Sequence, residues 1–343
     1  MRAQGNHIYS YSKCNTINTC QYQAYLTYVK HEKGLDSIYG LLGTVMHDTL
    51  EKIVHQKATQ ADLLPALNEE LELANDFGID FPKDMRGGTT IRDNWIKDMK
   101  HFIAHFTPLK GEFETEQLFI LPVGPKRYLQ GYIDLIRHNP DGTVSVFDWK
   151  TSSQFSDKDL KEHGRQLVLY SIALEQAGYQ VRDCAWIMLK YVQVTFDGFA
   201  RKNAKAKSQI NKVIQRSKLY KELASYVKAD LIDAGYSPAQ ATDYVDAMTV
   251  RESMDELPSE IRAHYTIRPY IRKYEATDEL KAEALDYVNQ MAELFESKTD
   301  NETDWPHTPI TKQNSFFCNT LCSYRKKCPY IQQYNFEYMN DSF

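Results

Sequence analysis

Residues 127–150 narrow the possible folds of this chain more than any other stretch. Arg127–Arg137 and Thr143–Lys150 are two β-rich runs separated by Asn139-Pro140-Asp141-Gly142. That string is a strong turn signal, because Asn and Asp bond their own backbone and glycine supplies a positive φ. The second run, Val144-Ser145-Val146-Phe147-Asp148-Trp149-Lys150, is apolar up to the point where Asp148 appears. A carboxylate therefore ends a buried strand instead of decorating a surface. Residues two apart on a strand share a face, so Asp148 and Lys150 point the same way. An antiparallel hairpin can bring Asp134 beside them. Two carboxylates and an ammonium at one spot are costly unless a cation or a polyanion joins them. A divalent metal, which takes oxygen ligands and can hold a phosphate oxygen together with a water, meets that need.

The rest of the chain reads as helices, three strands, a helix, a strand, a helical insert, a strand and a helix. Residues 10–30, 41–56, 61–75 and 91–107 are expected helices. In the second, Leu42, Val45, Met46, Leu50, Ile53 and Val54 form one apolar stripe. Strands are expected at 112–123, 127–137, 143–150, 181–194 and 265–273, with helices at 158–176 and 278–297 and an irregular tail. This is a mixed α/β core with helical additions. The expected divisions are a helical region at 1–110, a core at 111–200, a helical insertion at 201–262 that is basic at its start, and a final strand, helix and cysteine tail at 263–343.

The 343 residues carry a formal net charge of -5 and 23 tyrosines. The charge gives no overall footprint for a polyanion, but binding one needs only a local basic stripe. The first residues lack the apolar stretch of a signal peptide, and no apolar run approaches the ~20 residues needed to span a bilayer. A soluble, cytoplasmic protein is expected, in a bacterium or encoded by a phage. In that reducing setting, cysteines clustered near one end read as metal ligands sooner than disulfides. Cys318, Cys322 and Cys328 lie within eleven residues. The fourth ligand must come from elsewhere, and Cys20 and Cys14, near the start, are rivals for it. Cys184, in an apolar strand, is expected to be a core thiol.

These residues resemble a known family. Gly131-Tyr132-Ile133-Asp134 followed by Phe147-Asp148-Trp149-Lys150 is similar to the PD-(D/E)XK nuclease superfamily, and closest to its RecB-like branch. Further matches fall in order: Gly43 to His47 resembles that branch's Gly-x-x-x-His helix, and Gln166 to Tyr170 its Gln-x-x-x-Tyr helix. The last two residues share a helix face with His163. The resemblance implies a restriction-endonuclease-like fold, a mixed central sheet flanked by helices with helical insertions. It implies that His47, Asp134, Asp148 and the Trp149 carbonyl hold Mg²⁺ or Mn²⁺, the histidine favouring Mn²⁺. Asp134, Asp148 and Lys150 would be catalytic, with Lys150 acting on the attacking water. Glu116 would either reach the metal through water or be a strand-surface charge. Gln166, Tyr170 and His163 would contact substrate. Cys20, Cys318, Cys322 and Cys328 resemble the one early and three late cysteines that ligate a 4Fe-4S cluster in some members, with zinc as the alternative. Gln21 stands where those members usually have proline, and the first late spacing is three residues instead of two.

Residues 201–218 hold seven basic side chains and no acidic one. Read as a helix, Arg201, Lys202, Lys205 and Lys207 could track a phosphate backbone. The function expected is a metal-dependent deoxyribonuclease, an exonuclease on single strands or DNA ends in repair, recombination or phage DNA metabolism. Single-strand preference follows from the resemblance, supported by tyrosines available for stacking. No Gly-x-x-x-x-Gly-Lys-Ser/Thr loop is present, so unwinding would need a helicase or recombination partner. The alternatives are a non-cutting DNA-binding adaptor on the same fold and a CRISPR-adaptation nuclease that needs a partner. The sequence leaves the oligomeric state open.

Overall fold

The computed structural model describes residues 5–84, 87–157, 159–198 and 206–339. A short strand β1 (His7–Tyr9) leads into five helices, α1 (Tyr11–Thr19), α2 (Gln21–Tyr28), α3 (Ile38–Val54), α4 (Gln60–Asp76) and α5 (Thr90–Ala104). Three strands follow, β2 (Glu112–Gly124), β3 (Arg127–His138) and β4 (Val144–Lys150), then α6 (Leu160–Gln176). Next come β5 (Val181–Gly198), β6 (Ser208–Gln215), α7 (Leu219–Asp233), α8 (Pro238–Arg251) and the single turn α9 (Ser259–Arg262). The order ends with β7 (Thr266–Tyr274), α10 (Asp278–Glu296) and α11 (Pro329–Met339).

The described strands form one mixed sheet of seven. β2 and β4 pair antiparallel with β3, and β4 pairs parallel with β5 across the α6 crossover. β6 and β7 both pair antiparallel with β5. The β3–β4 turn closes as its residues require: Gly142 adopts φ +81° and donates its N–H to the Asn139 carbonyl, while Thr143 donates to the Asp141 carboxylate. Helices α3, α4 and α5 cover one face around Leu135, Trp149, Ile187 and Leu189. Helices α6 and α10 cover the other. A separate core joins the far half of β5 to β6 and α7–α9.

Three expectations change. The helix expected over 10–30 breaks at Cys20, which is extended (φ -161°, ψ 114°) between α1 and α2. The tail is not wholly irregular: a π-helical turn spans Phe317–Leu321, and α11 follows Pro329. The basic stretch is no helix over 208–215. It is β6, because β5 runs 18 residues, well past β4, and leaves an edge that an Ile- and Val-containing segment fills. Residues 201–205, with Arg201, Lys202 and Lys205, lie outside the described residues. Lys207 is turned onto α7, 2.7 Å from Asp230 and 3.0 Å from Asp233. No described helix is long and apolar enough to cross a membrane.

Candidate metal and nucleic-acid site

β3 and β4 run together only from Leu135 to His138 and from Val144 to Phe147. Beyond that the strands part, so Asp134 and Asp148 sit where the sheet splits. β2 deforms at the same level. Glu116 lies across from Asp134, but the ladder omits that pair, and Glu116 takes φ +49°, a conformation a side chain adopts at a cost of order 1 kcal/mol. The side-chain alternation slips there. Ile133 packs with α6, whereas Leu135, two residues on, packs with α3 and α5. The slip frees Asp134 from both cores.

The side chains converge as expected. Lys150 Nζ is 2.6 Å from Asp148 Oδ2. His47, on α3, places Nδ1 3.4 Å from Asp134 Oδ2, its ring edge-on to Trp149. Ligand atoms of His47, Asp134 and Asp148 all lie within 4.8 Å of one another. Asp148 is 1% exposed. Burial pushes its carboxyl well up, against the pull of Lys150 and with the push of Asp134. Burial acts likewise on Asp134, but hydrogen bonding with His47 and Asp148 outweighs it and holds that carboxyl low. Glu116 is raised by burial and by the nearby charges of Asp134 and Glu51. Despite the nearby ammonium, Asp148 Oδ2 makes no well-aligned hydrogen bond. A buried acceptor left in this state, with a second carboxylate and an imidazole within reach, is a donor set suited to a divalent cation.

The site opens into a cleft of about 1280 Å³ lined by Asp134, Lys150, His163, Gln166 and Tyr170. Gln166 donates to the Tyr170 hydroxyl at 2.8 Å. Burial, then the charges of Asp134 and Asp148, hold the Tyr170 phenol protonated. His163 is stacked on Phe155 at 3.9 Å, and burial lowers its pKa. Gly131 is needed at its place: a Cβ would lie 2.8 Å from the Phe119 ring, which packs edge-on to Tyr170.

The cleft also takes residues that the sequence did not single out, among them Tyr9 and Lys13. They arrive because β1 pairs parallel with β3 at Arg127–Leu129, a pairing across more than a hundred residues with no local signal. Tyr132 lines the cleft too, and it lay inside the hairpin string all along.

Cys20, Cys318, Cys322 and Cys328 gather where α2 meets the tail. Cys20, Cys322 and Cys328 pack on one cluster with Trp305 and Tyr324. Burial pushes the Cys322 thiol up to about 11, with Cys20, Cys328 and Cys318 adding to it; Cys318 is raised by burial and by Cys20 and Cys328. Cys14 is instead fully buried between the sheet and α10, its thiol pushed up to about 12 by burial. Cys184 is a core thiol, as expected.

No curated protein matches the chain in sequence. A family model does match, across residues 8–329. The match covers the split hairpin, the His47 helix and the cysteine tail alike, and the seven-stranded mixed sheet with its flanking helices agrees with a restriction-endonuclease-like fold. The chain belongs to the PD-(D/E)XK nuclease superfamily.

Proposed function

We propose that this nuclease is a divalent-metal-dependent exonuclease of the RecB-like branch, acting on single-stranded DNA or frayed ends. One observation carries the reading: three ligand atoms within 4.8 Å, beside a lysine, at the floor of an open cleft. His47, Asp134, Asp148 and the Trp149 carbonyl would hold Mg²⁺ or Mn²⁺, with Glu116, across from Asp134, joining through water. When bound, the cation lowers the pKa of a water and neutralises charge on the phosphate. Lys150, fixed by Asp148, orients that water and offsets charge on the phosphate as it is attacked. Gln166, Tyr170 and His163 form one helix face toward the cleft and steady the strand, Tyr170 keeping its proton to donate. The intact Asp134, Asp148 and Lys150 argue against a non-cutting adaptor.

The four cysteines support a 4Fe-4S cluster. Burial and crowding raise the Cys318 and Cys322 thiols, so thiolates there need a cation. Four thiolates drawn from the two ends of the chain suit an iron–sulfur cluster, with zinc as the alternative.

The test is digestion of end-labelled linear and circular DNA, single- and double-stranded, with Mn²⁺ or Mg²⁺, by protein purified without oxygen. Linear single strands should shorten while circles survive, and Lys150→Ala should lose at least about a hundredfold in rate. Cut circles would replace the exonuclease reading with an endonuclease one. A folded, metal-loaded protein that leaves every substrate intact would refute cutting altogether, unless a partner restores it.

A further inference from the structure

The cleft does not end at the carboxylates. β3 has β1 beside it at Arg127–Leu129 and β4 beside it at Leu135–His138. The strand edge between these, residues 130–134, borders the cleft. On the β2–β3 ribbon, Leu118 lies opposite Tyr132, and Ile120 lies opposite Gln130. Alternate positions on paired strands share a face, and this face is open: Leu118, Ile120 and Tyr132 are 52%, 44% and 50% exposed. Tyr132 belongs both to this apolar strip and to the lining of the cleft that holds Asp134 and Lys150. The same cleft carries cations. Lys13 and Lys298 line it, and the Lys13 ammonium is held 3.5 Å above the Phe295 ring and 4.8 Å from that of Tyr9. Glu162 and Glu296 line the cleft as well, Glu296 bonded to Arg127 and Tyr9.

We propose, resting on the single-strand nuclease reading, that the Leu118–Ile120–Tyr132 strip stacks unpaired bases of the substrate beside the metal site, while Lys13 and Lys298 hold its phosphates. A strand with free bases offers an aromatic face and a charged backbone at once, and the cleft offers a partner for each. A duplex hides its base faces and leaves the strip nothing to bind, so the strip sets the preference for single strands. A second copy of this chain fits less well: a stable interface covers about 800 Å² per partner, far more than three side chains supply.

The test is fluorescence anisotropy without divalent metal, so that nothing is cut. The probes are an oligothymidine strand, an abasic strand of the same length and a duplex. Tyr132→Ala should weaken oligothymidine binding about tenfold and leave the abasic strand unchanged. Tyr132→Phe should bind like wild type. Lys298→Ala should weaken both single strands alike and reduce the salt slope by about 1. Tyr132 is half exposed, so its variants should melt with wild type. If Tyr132→Ala weakens both single strands equally, or neither, the stacking role is wrong while the nuclease reading stands. If wild type binds none of the probes, the single-strand reading falls and the proposal with it. A dimer that Leu118→Lys disperses, with oligothymidine binding unchanged, would assign the strip to a second copy and overturn the proposal.

Discussion

Asp148 is an acid in a place that would repel it without a cation. Its carboxyl is almost wholly buried and faces Asp134, and burial raises its pKa even with Lys150 at 2.6 Å. The sign of the stability effect follows. A carboxyl whose folded pKa lies above its unfolded value loses stability as pH rises from the unfolded pKa through the folded one, and the full cost persists above it. Asp148→Asn keeps the shape and removes the charge. Lys150, partly exposed, can then turn to solvent. In metal-free protein, Asp148→Asn should therefore be more stable than wild type by about 1 kcal/mol in mildly alkaline urea melts. The gain should shrink on the acid side. Adding Mn²⁺ should raise the melting temperature of wild type but hardly that of the variant. A variant less stable than wild type at alkaline pH would mean that the Lys150 pair outweighs the burial.

The elements that hold the site were legible to different depths. β3, β4 and their turn are local: the glycine, the Asp and the apolar run all lie within 24 residues, and the structure keeps their boundaries almost unchanged. Gln166 and Tyr170 were equally readable, since one helical turn joins them. β6 was not. Its mixed sequence suits a helix as well as a strand, and the choice is made by the free edge of β5, far outside any local window. The break at Cys20 was hidden for a similar reason, because an extended cysteine between two helices makes sense only beside the tail. α6 also depends on a residue that carried no motif. Gly164 lets the Tyr274 ring of β7 lie against the helix, where a Cβ would come within 2.2 Å of a ring carbon. That ring is packed on Trp186 and cannot swing away freely. Gly164→Ala should thus destabilise by about 1–3 kcal/mol through overpacking. Because Gln166 and Tyr170 ride on the same helix, nuclease activity should fall with it. Adding Tyr274→Ala should recover most of the stability in a double-mutant cycle. No coupling between the two changes would show that the helix moves aside at no cost.

At the scale of the whole molecule, the first and last segments are sewn together around the cysteines. Tyr324 shares a hydrogen bond with Thr27 and donates to the Glu32 carbonyl; Arg325 donates to Asp36, and Leu35 to Ser323. The sewn-on segment, β1 with α1 and α2, supplies Tyr9 and Lys13 to the cleft, yet the candidate metal ligands stand on α3, β3 and β4. A cluster joining Cys20 to Cys318, Cys322 and Cys328 would close a loop of nearly the whole chain, and closing it in advance spares the folded state that entropy. Its loss should accordingly loosen the ends and spare the metal site. Cys20→Ser should lose the iron–sulfur absorbance, melt several degrees lower and be cut first by protease in the tail beyond Trp305. Its melting temperature should still rise with Mn²⁺, because His47, Asp134 and Asp148 lie outside the clasp. Single-strand binding should weaken as the Tyr9 and Lys13 wall slackens. If activity disappears while melting temperature and protease resistance stay at wild-type values, the cluster acts in the reaction and not as a clasp.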